Sequence, residues 1–320
     1  MRIFNADTIA DLAPPKRWID TMEQALVTAL GEDYLMPPRP HYDYQGNTLL
    51  VMPCFIPDYF ATKLVSVFPG NVRQGLPALH GTVILNDGAT GQPLAIFNGG
   101  KVTALRTGAV GGVGVRHLAP LDATVLGVVG AGVQGMHQAL MACQERKIQT
   151  IWVYDPSAQQ LEGFGRQLRA WLPAVEVKPA SSVEMLLDAA QIVISATTAV
   201  QPVLPDQADL LADKTYIAIG SFKPDMQELP DALFHLAETV FCDTEHALAE
   251  TGDLINPLNS GILHKSQVVS GGRLISGQVA RPEAKVQIWK SVGMALFDLA
   301  AVVMLYEEAL KRNAGQRVEV

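Results

Sequence analysis

Cysteine is scarce in this sequence: Cys54, Cys143 and Cys242 are its only three, odd in number, far apart and without CxxC spacing. That pattern offers neither a disulfide framework nor a zinc site, and it suits a reducing cytosol. Basic blocks are missing as well, with 24 Lys and Arg against 32 Asp and Glu and a formal charge of −8. Nucleic acid and anionic membrane are thereby disfavoured as partners, and a small molecule fits better. No run of about 18 apolar residues exists to span a bilayer, and the opening "MRIFNADTIADLAPP" lacks the apolar stretch of a signal peptide, so a cytoplasmic location is expected. Low-complexity tracts and internal repeats are also absent, so domain boundaries have to come from changes of pattern.

What is present is 320 residues with 48% apolar content, enough for two ordinary cores. Residues 16–31 read as a helix with Trp18, Ile19, Met22, Leu26 and Leu30 on one face and Gly31 as its stop. Four β-branched or aromatic runs follow, at 48–55, 59–68, 81–87 and 93–98, and "GATG" between the last two predicts a hairpin loop. From about residue 119 the pattern alternates strand and helix, the signature of a parallel sheet with crossovers. Strands are expected at 123–129, 150–154, 174–177, 191–196, 215–219 and 239–242, with a capping box at Ser181 and Glu184 starting a helix. Residues 283–311 read as one long apolar helix that returns to the first domain.

"TVLGVVGAGVQGMHQAL" (124–140) runs a buried-type strand into Gly130, Gly132 and Gly135 and then into a helix, and a second strand ends at Asp155, 20 positions after Gly135. In that context the glycines form a dinucleotide fingerprint: Gly130 for the tight turn, Gly132 for approach of the pyrophosphate, Gly135 for helix–strand packing. A carboxylate at Asp155 accepts ribose hydroxyls and repels a 2′-phosphate, so NADH is favoured while NADPH stays open. "VISATT" and "YIAIGSF" end two further strands where the nicotinamide half would lie, which adds Thr197, Thr198, Gly220 and Ser221. Val133, Gln134 and Pro156 flank the turn and the acidic residue and complete the expected cofactor set.

Three cations stand on stretches that otherwise read as core: Arg39 between prolines in "MPPRPHYDY", Lys63 inside "YFATKLVSVF", and Arg106 inside "KVTALRTGAV". A buried guanidinium is costly without an anion, which either an internal carboxylate or a ligand supplies. Lys63 has a second reading as an edge-strand lysine that discourages aggregation. His80 shares a strand face with Thr82 by alternation. Asp298 either reaches the active site or pins the last helix.

"TALRTGA", "GAGVQGMHQ", "IGSFKPDMQEL" and "WKSVGMALFDLA" together resemble the ornithine cyclodeaminase and μ-crystallin family, and the resemblance covers essentially the whole chain. It implies an α/β protein in which a Rossmann domain (119–278) is inserted in a discontinuous α+β substrate-binding and dimerisation domain (1–118 and 279–320), paired as a homodimer. It further implies that Arg39 and Arg106 grip a substrate carboxylate, that Lys63 lies near the reacting nitrogen, that Thr82 matches a family threonine and that Thr107 contacts the cofactor. Cyclodeaminases of the family carry an acid in a "GGDxPG" segment. Here Phe222 takes its place, with Asp225 three positions on, which counts against deamination.

The expected reaction is NAD(P)H-dependent reduction of a small cyclic ketimine carboxylate, Δ1-pyrroline-2-carboxylate or Δ1-piperideine-2-carboxylate, to L-proline or L-pipecolate. Lys63 delivers the proton or holds an ordered water. Rival readings are an ornithine cyclodeaminase or alanine-type dehydrogenase, and a non-catalytic μ-crystallin-like binding protein.

Overall fold

The computed structural model describes residues 1–319, and the chain divides into two compact units. Unit 1 is Met1–Arg106 with the segment from Met294 onward, and unit 2 is Thr107–Gly293. The expected limits at 119 and 278 both fall inside unit 2. Among the described residues no helix is long and apolar enough to cross a membrane.

Unit 1 begins with β1 (Arg2–Phe4), α1 (Ala6–Leu12) and α2 (Pro15–Thr28). Asn5 caps α1 by accepting from the Thr8 amide, and Pro15 opens α2 at a position where its missing N–H costs nothing. Then come β2 (His41–Tyr44), β3 (Asn47–Phe55), β4 (Tyr59–Val67), β5 (Leu79–Asp87) and β6 (Pro93–Asn98). The four expected β runs are thus strands. They lie in a mixed sheet ordered as the short strand Gln316–Arg317, then β1, β6, β5, β4, β3 and β2.

Period-2 alternation gives this sheet two unlike faces. Met52, Lys63, Val83, Phe97 and Phe4 share one face by register and are buried; the C-terminal helix Ala295–Arg312 packs on β3, β4 and β5, and α2 packs on that helix. The other face carries Leu49, Leu64 and Ile3, all exposed.

The helix α3 (Gly99–Leu118) follows, its start capped by the Asn98 side chain accepting from the Lys101 amide at 2.8 Å. Unit 2 takes over at Thr107, within α3, because from there on the helix bonds to unit 2: the Gln138 side-chain amide donates to the Thr107 carbonyl at 2.8 Å.

Unit 2 contains β7 (Val125–Val129), α4 (Val133–Glu145), β8 (Thr150–Tyr154), α5 (Ala158–Trp171), β9 (Glu176–Pro179), α6 (Val183–Ala189), β10 (Ile192–Ser195), β11 (Thr215–Ala218), β12 (Ala237–Cys242), β13 (Val268–Ser270) and β14 (Val286–Lys290). All pairs are parallel, in the order β13-β12-β14-β11-β10-β7-β8-β9. Strand order reverses between β7 and β10, the switch point of a doubly wound fold.

Two expectations change here. Residues 283–311 are not one helix: Val286–Lys290 is the fully buried strand β14, and the helix starts at Ala295. A short apolar run such as "VQIWK" has no periodicity that separates a buried strand from a buried helix. The cap of α6 is Ser182 rather than Ser181; its hydroxyl accepts from the Met185 amide at 3.2 Å.

Candidate active site

In unit 1, β4 lies between β3 and β5, so Lys63 is on an interior strand and the edge-strand reading fails. Register sets Lys63 between Met52 and Val83 on the covered face, where only 3% of it is exposed. A lone ammonium there would be untenable. Its counter-ion is Asp298, in the first turn of the C-terminal helix, with Lys63 Nζ 2.7 Å from Oδ2. The other oxygen, Oδ1, accepts from Arg106 Nε at 3.2 Å. One buried carboxylate therefore holds two cations from two different elements, and the anion that a buried Arg106 requires is supplied within the chain. The two Nη groups of Arg106 have no further hydrogen bond among the described residues and keep their donors for a ligand.

Arg39 is half-buried and lies close enough for its charge to act on Lys63. The three cations are thus brought together in unit 1. Burial above all, and then the Arg106 and Arg39 charges, lower the Lys63 ammonium from 10.5 to about 8 against the opposing pull of Asp298. Cys54, on the same strand face, has its thiol pushed up to about 12, chiefly by burial, and is no nucleophile. Thr82 does not join the cluster. It pairs with Leu64 and Asn98, so it projects from the opposite face of the sheet, as does His80 opposite Ser66.

In unit 2, the turn after β7 has the shape a dinucleotide requires. Gly130 sits at φ +103°, where a Cβ would meet the Ala196 carbonyl at 2.6 Å. At Gly135 a Cβ would strike the Gly130 carbonyl oxygen, so the helix packs directly on the turn. Gly132, by contrast, has open space where its Cβ would be. It is also the N-cap of α4 without a side-chain cap, which leaves the first amides of that helix for an anion. Gln134 contributes a buried Oε1 without a partner among the described residues, and Val133 beside it is exposed.

Asp155 directly follows β8, its Oδ2 accepting from Ala131 N at 2.9 Å and its Oδ1 from Ser157 N at 2.8 Å. The carboxylate is thereby fixed against the glycine turn, with lone pairs remaining. Pro156 and Thr198 are exposed, and Thr107 is buried on α3. Open cradle, uncapped helix, orphaned amide oxygen and fixed carboxylate together fit a dinucleotide.

Ser221 is different. It is fully buried, its hydroxyl within 2.6 Å of the Met226 carbonyl and of Thr251 Oγ1, so its side chain is spent inside the unit. The Thr197 hydroxyl likewise donates to Glu228 Oε1 at 2.8 Å. Glu228, Asp253 and Lys290 form a buried charged group that sequence reading missed. Asp253 accepts from the Glu228 and Leu229 amides at 2.6 and 3.0 Å and pairs with Lys290 at 2.7 Å. Lys290 did carry a signal, as the one charge in an apolar run, just as Lys63 does. Glu228 stands in the quoted "IGSFKPDMQEL", but nothing local tied it to Ser195 and Thr197, 33 and 31 positions away.

A doubly wound unit with an intact glycine turn, joined to a mixed-sheet unit with a buried cation cluster, defines the class: a two-unit protein of the dinucleotide-binding type. The model of the ornithine cyclodeaminase/mu-crystallin family matches residues 6–313, and the chain belongs to that family. A Delta(1)-pyrroline-2-carboxylate reductase from Bacillus cereus is 32% identical over the whole of both chains. An alanine dehydrogenase from Archaeoglobus fulgidus is 28% identical over 99% of this chain and 98% of its own. The solved structure of Thermococcus litoralis Delta(1)-pyrroline-2-carboxylate reductase in complex with NADH and L-proline matches with TM-score 0.93 and 28% identity, over 99% of this chain and 100% of that one.

Proposed function

We propose that the protein reduces a cyclic ketimine carboxylate, Δ1-pyrroline-2-carboxylate in the first instance, to the cyclic amino acid with NADH. The observation that carries this reading is the Lys63–Asp298–Arg106 group: two buried cations against one carboxylate leave it net positive and ready for an anionic substrate. The relatives with this reaction in their names support it.

Arg106 offers its free Nη donors, and with Arg39 it holds the substrate carboxylate in a planar, two-point grip. Lys63, lowered to about 8, is a proton donor whose strength suits neutral conditions; it holds its proton at Nζ for the imine nitrogen, and Asp298 fixes its direction. Gly130, Gly132, Val133, Gln134 and Asp155 hold the dinucleotide, with Thr107, Pro156 and Thr198 as further contacts. When bound, that dinucleotide supplies the hydride for the C=N carbon. Asp155 disfavours a 2′-phosphate, and no cation stands in the "YDPSAQQ" segment around it to reverse that preference. The homodimer expected from the resemblance is supported by the exposed apolar sheet face of unit 1, with Ile3, Leu49 and Leu64 on it.

Phe222, 44% exposed after β11, stands where a cyclodeaminase has its acid, and it supplies no base. The test is absorbance at 340 nm with NADH and NADPH in parallel, against five- and six-membered cyclic ketimines, ornithine with NAD, and alanine with NAD. Oxidation of NADH by a cyclic ketimine is the expected result. Turnover of alanine alone would move the chain to the dehydrogenases, ammonia release from ornithine to the cyclodeaminases, and no turnover at all to the binding proteins.

A further inference from the structure

The Glu228 side chain is buried, and both its oxygens accept hydrogen bonds. Oε1 accepts from Thr197 N at 2.6 Å and Thr197 Oγ1 at 2.8 Å. Oε2 accepts from Ser195 Oγ at 3.0 Å, Gly220 N at 2.7 Å and Ser221 N at 3.2 Å. Ser195 and Thr197 belong to the end of β10 and the loop after it, and Gly220 and Ser221 follow β11. The two strand ends are also pressed together, since a Cβ on Gly220 would strike both the Thr197 backbone and Glu228 itself. Glu228 is held in turn by its own amide on Asp253 Oδ1, and Asp253 by Lys290.

In a doubly wound sheet the second half of a dinucleotide lies at these carboxyl ends. We propose that Glu228 is a positioning residue for the nicotinamide half of the dinucleotide site: one carboxyl group, accepting from both, clamps the β10 and β11 ends into a fixed rim. This rests on the dinucleotide reading of unit 2. It goes beyond that reading by separating the two halves of the site, because among the described residues the glycine turn and Asp155 make no hydrogen bond to Glu228.

The experiment measures NADH and ADP binding by titration calorimetry or fluorescence, on wild type and on Glu228→Gln. Glutamine keeps the shape but turns an NH2 toward donors, so the rim loses its clamp. NADH binding weakens by about tenfold or more, while ADP, which lacks the nicotinamide half, stays within about twofold of wild type. Equal weakening of both ligands, or weakening of neither, overturns the proposal. Should Glu228→Gln fail to fold, Ser195→Ala decides: it removes one donor, and NADH but not ADP weakens by about fivefold; equal behaviour of the two ligands again overturns the assignment. Wild-type protein that binds neither NADH nor NADPH overturns the dinucleotide reading itself.

Discussion

Replacing Asp298 by Asn removes the anion that holds Lys63 in the ammonium form. The carboxylate lies 2.7 Å from Lys63 Nζ and 3.2 Å from Arg106 Nε, and both its charge and its hydrogen bond raise the Lys63 value. At an effective dielectric constant of about 20, unit charges about 3 Å apart interact by roughly 5 kcal/mol, an upper limit of about 4 pH units. The Asn oxygen still accepts a hydrogen bond, and water or a substrate carboxylate fills part of the deficit. A fall of at least about one pH unit from the wild-type value is therefore expected.

The direction follows from the remaining groups. Burial lowers an ammonium, and the facing Arg106 and Arg39 charges lower it further; the buried Cys54 thiol is uncharged at these values. Lys63 reacts as the protonated form, so ketimine reduction declines as pH rises through about 8 in wild type, and in Asp298→Asn that decline moves to about 7 or below. The assay is kcat/KM for ketimine reduction between about pH 5.5 and 10, on protein shown to be folded by circular dichroism. Opening a buried pair costs about 3–5 kcal/mol, so the variant is measured well below its melting temperature. Lys63→Arg keeps the charge but does not titrate in this range, and with it the decline near 8 disappears. An alkaline limb that stays near 8 in folded Asp298→Asn would refute the reasoning.

Arg106→Ala lowers kcat/KM by at least about tenfold, the scale of one lost charged hydrogen bond, and an unchanged value in steady-state assays would remove Arg106 from the substrate site. Gly132→Ala leaves the melting temperature nearly unchanged because its Cβ enters open space, yet weakens NADH binding by at least about tenfold; Gly135→Ala, driven into the Gly130 carbonyl, loses about 1–3 kcal/mol of stability in thermal or denaturant melts. Equal behaviour of those two variants would contradict the assigned turn geometry. Asp155→Asn keeps an acceptor for a backbone amide while removing the charge, so the ratio of NADPH to NADH efficiency rises in parallel assays. A ratio that does not move would mean that another group sets the preference.

Much of the site was legible because it depends on local chemistry. Three glycines at one strand-to-helix turn, with an acidic residue at the end of the next strand, are the pattern that close approach of a pyrophosphate imposes on a backbone. Lys63 and Arg106 stood out as charges in apolar runs, and charge in such places demands a partner whatever the fold. The partner itself was not legible, since Asp298 lies 192 positions from Arg106 and either role for it was consistent with its helix. The pairing of Glu228 with Ser195 and Thr197, 33 and 31 positions away, was hidden for the same reason. Thr82 shows the opposite error, since similarity of motif brought it into the site and strand register put it on the other face.

Periodicity, turn chemistry and the placing of charge among apolar residues were enough to determine the parallel αβ unit, the β-rich unit, the dinucleotide turn and the cations, because each is a property of a few neighbouring residues. Only the tertiary structure decided which carboxylate meets Lys63 and Arg106, that "VQIWK" is a strand, which sheet face each residue takes, and that one glutamate closes the rim of β10 and β11. These depend on distances across the chain, which burial fixes and which linear order does not encode.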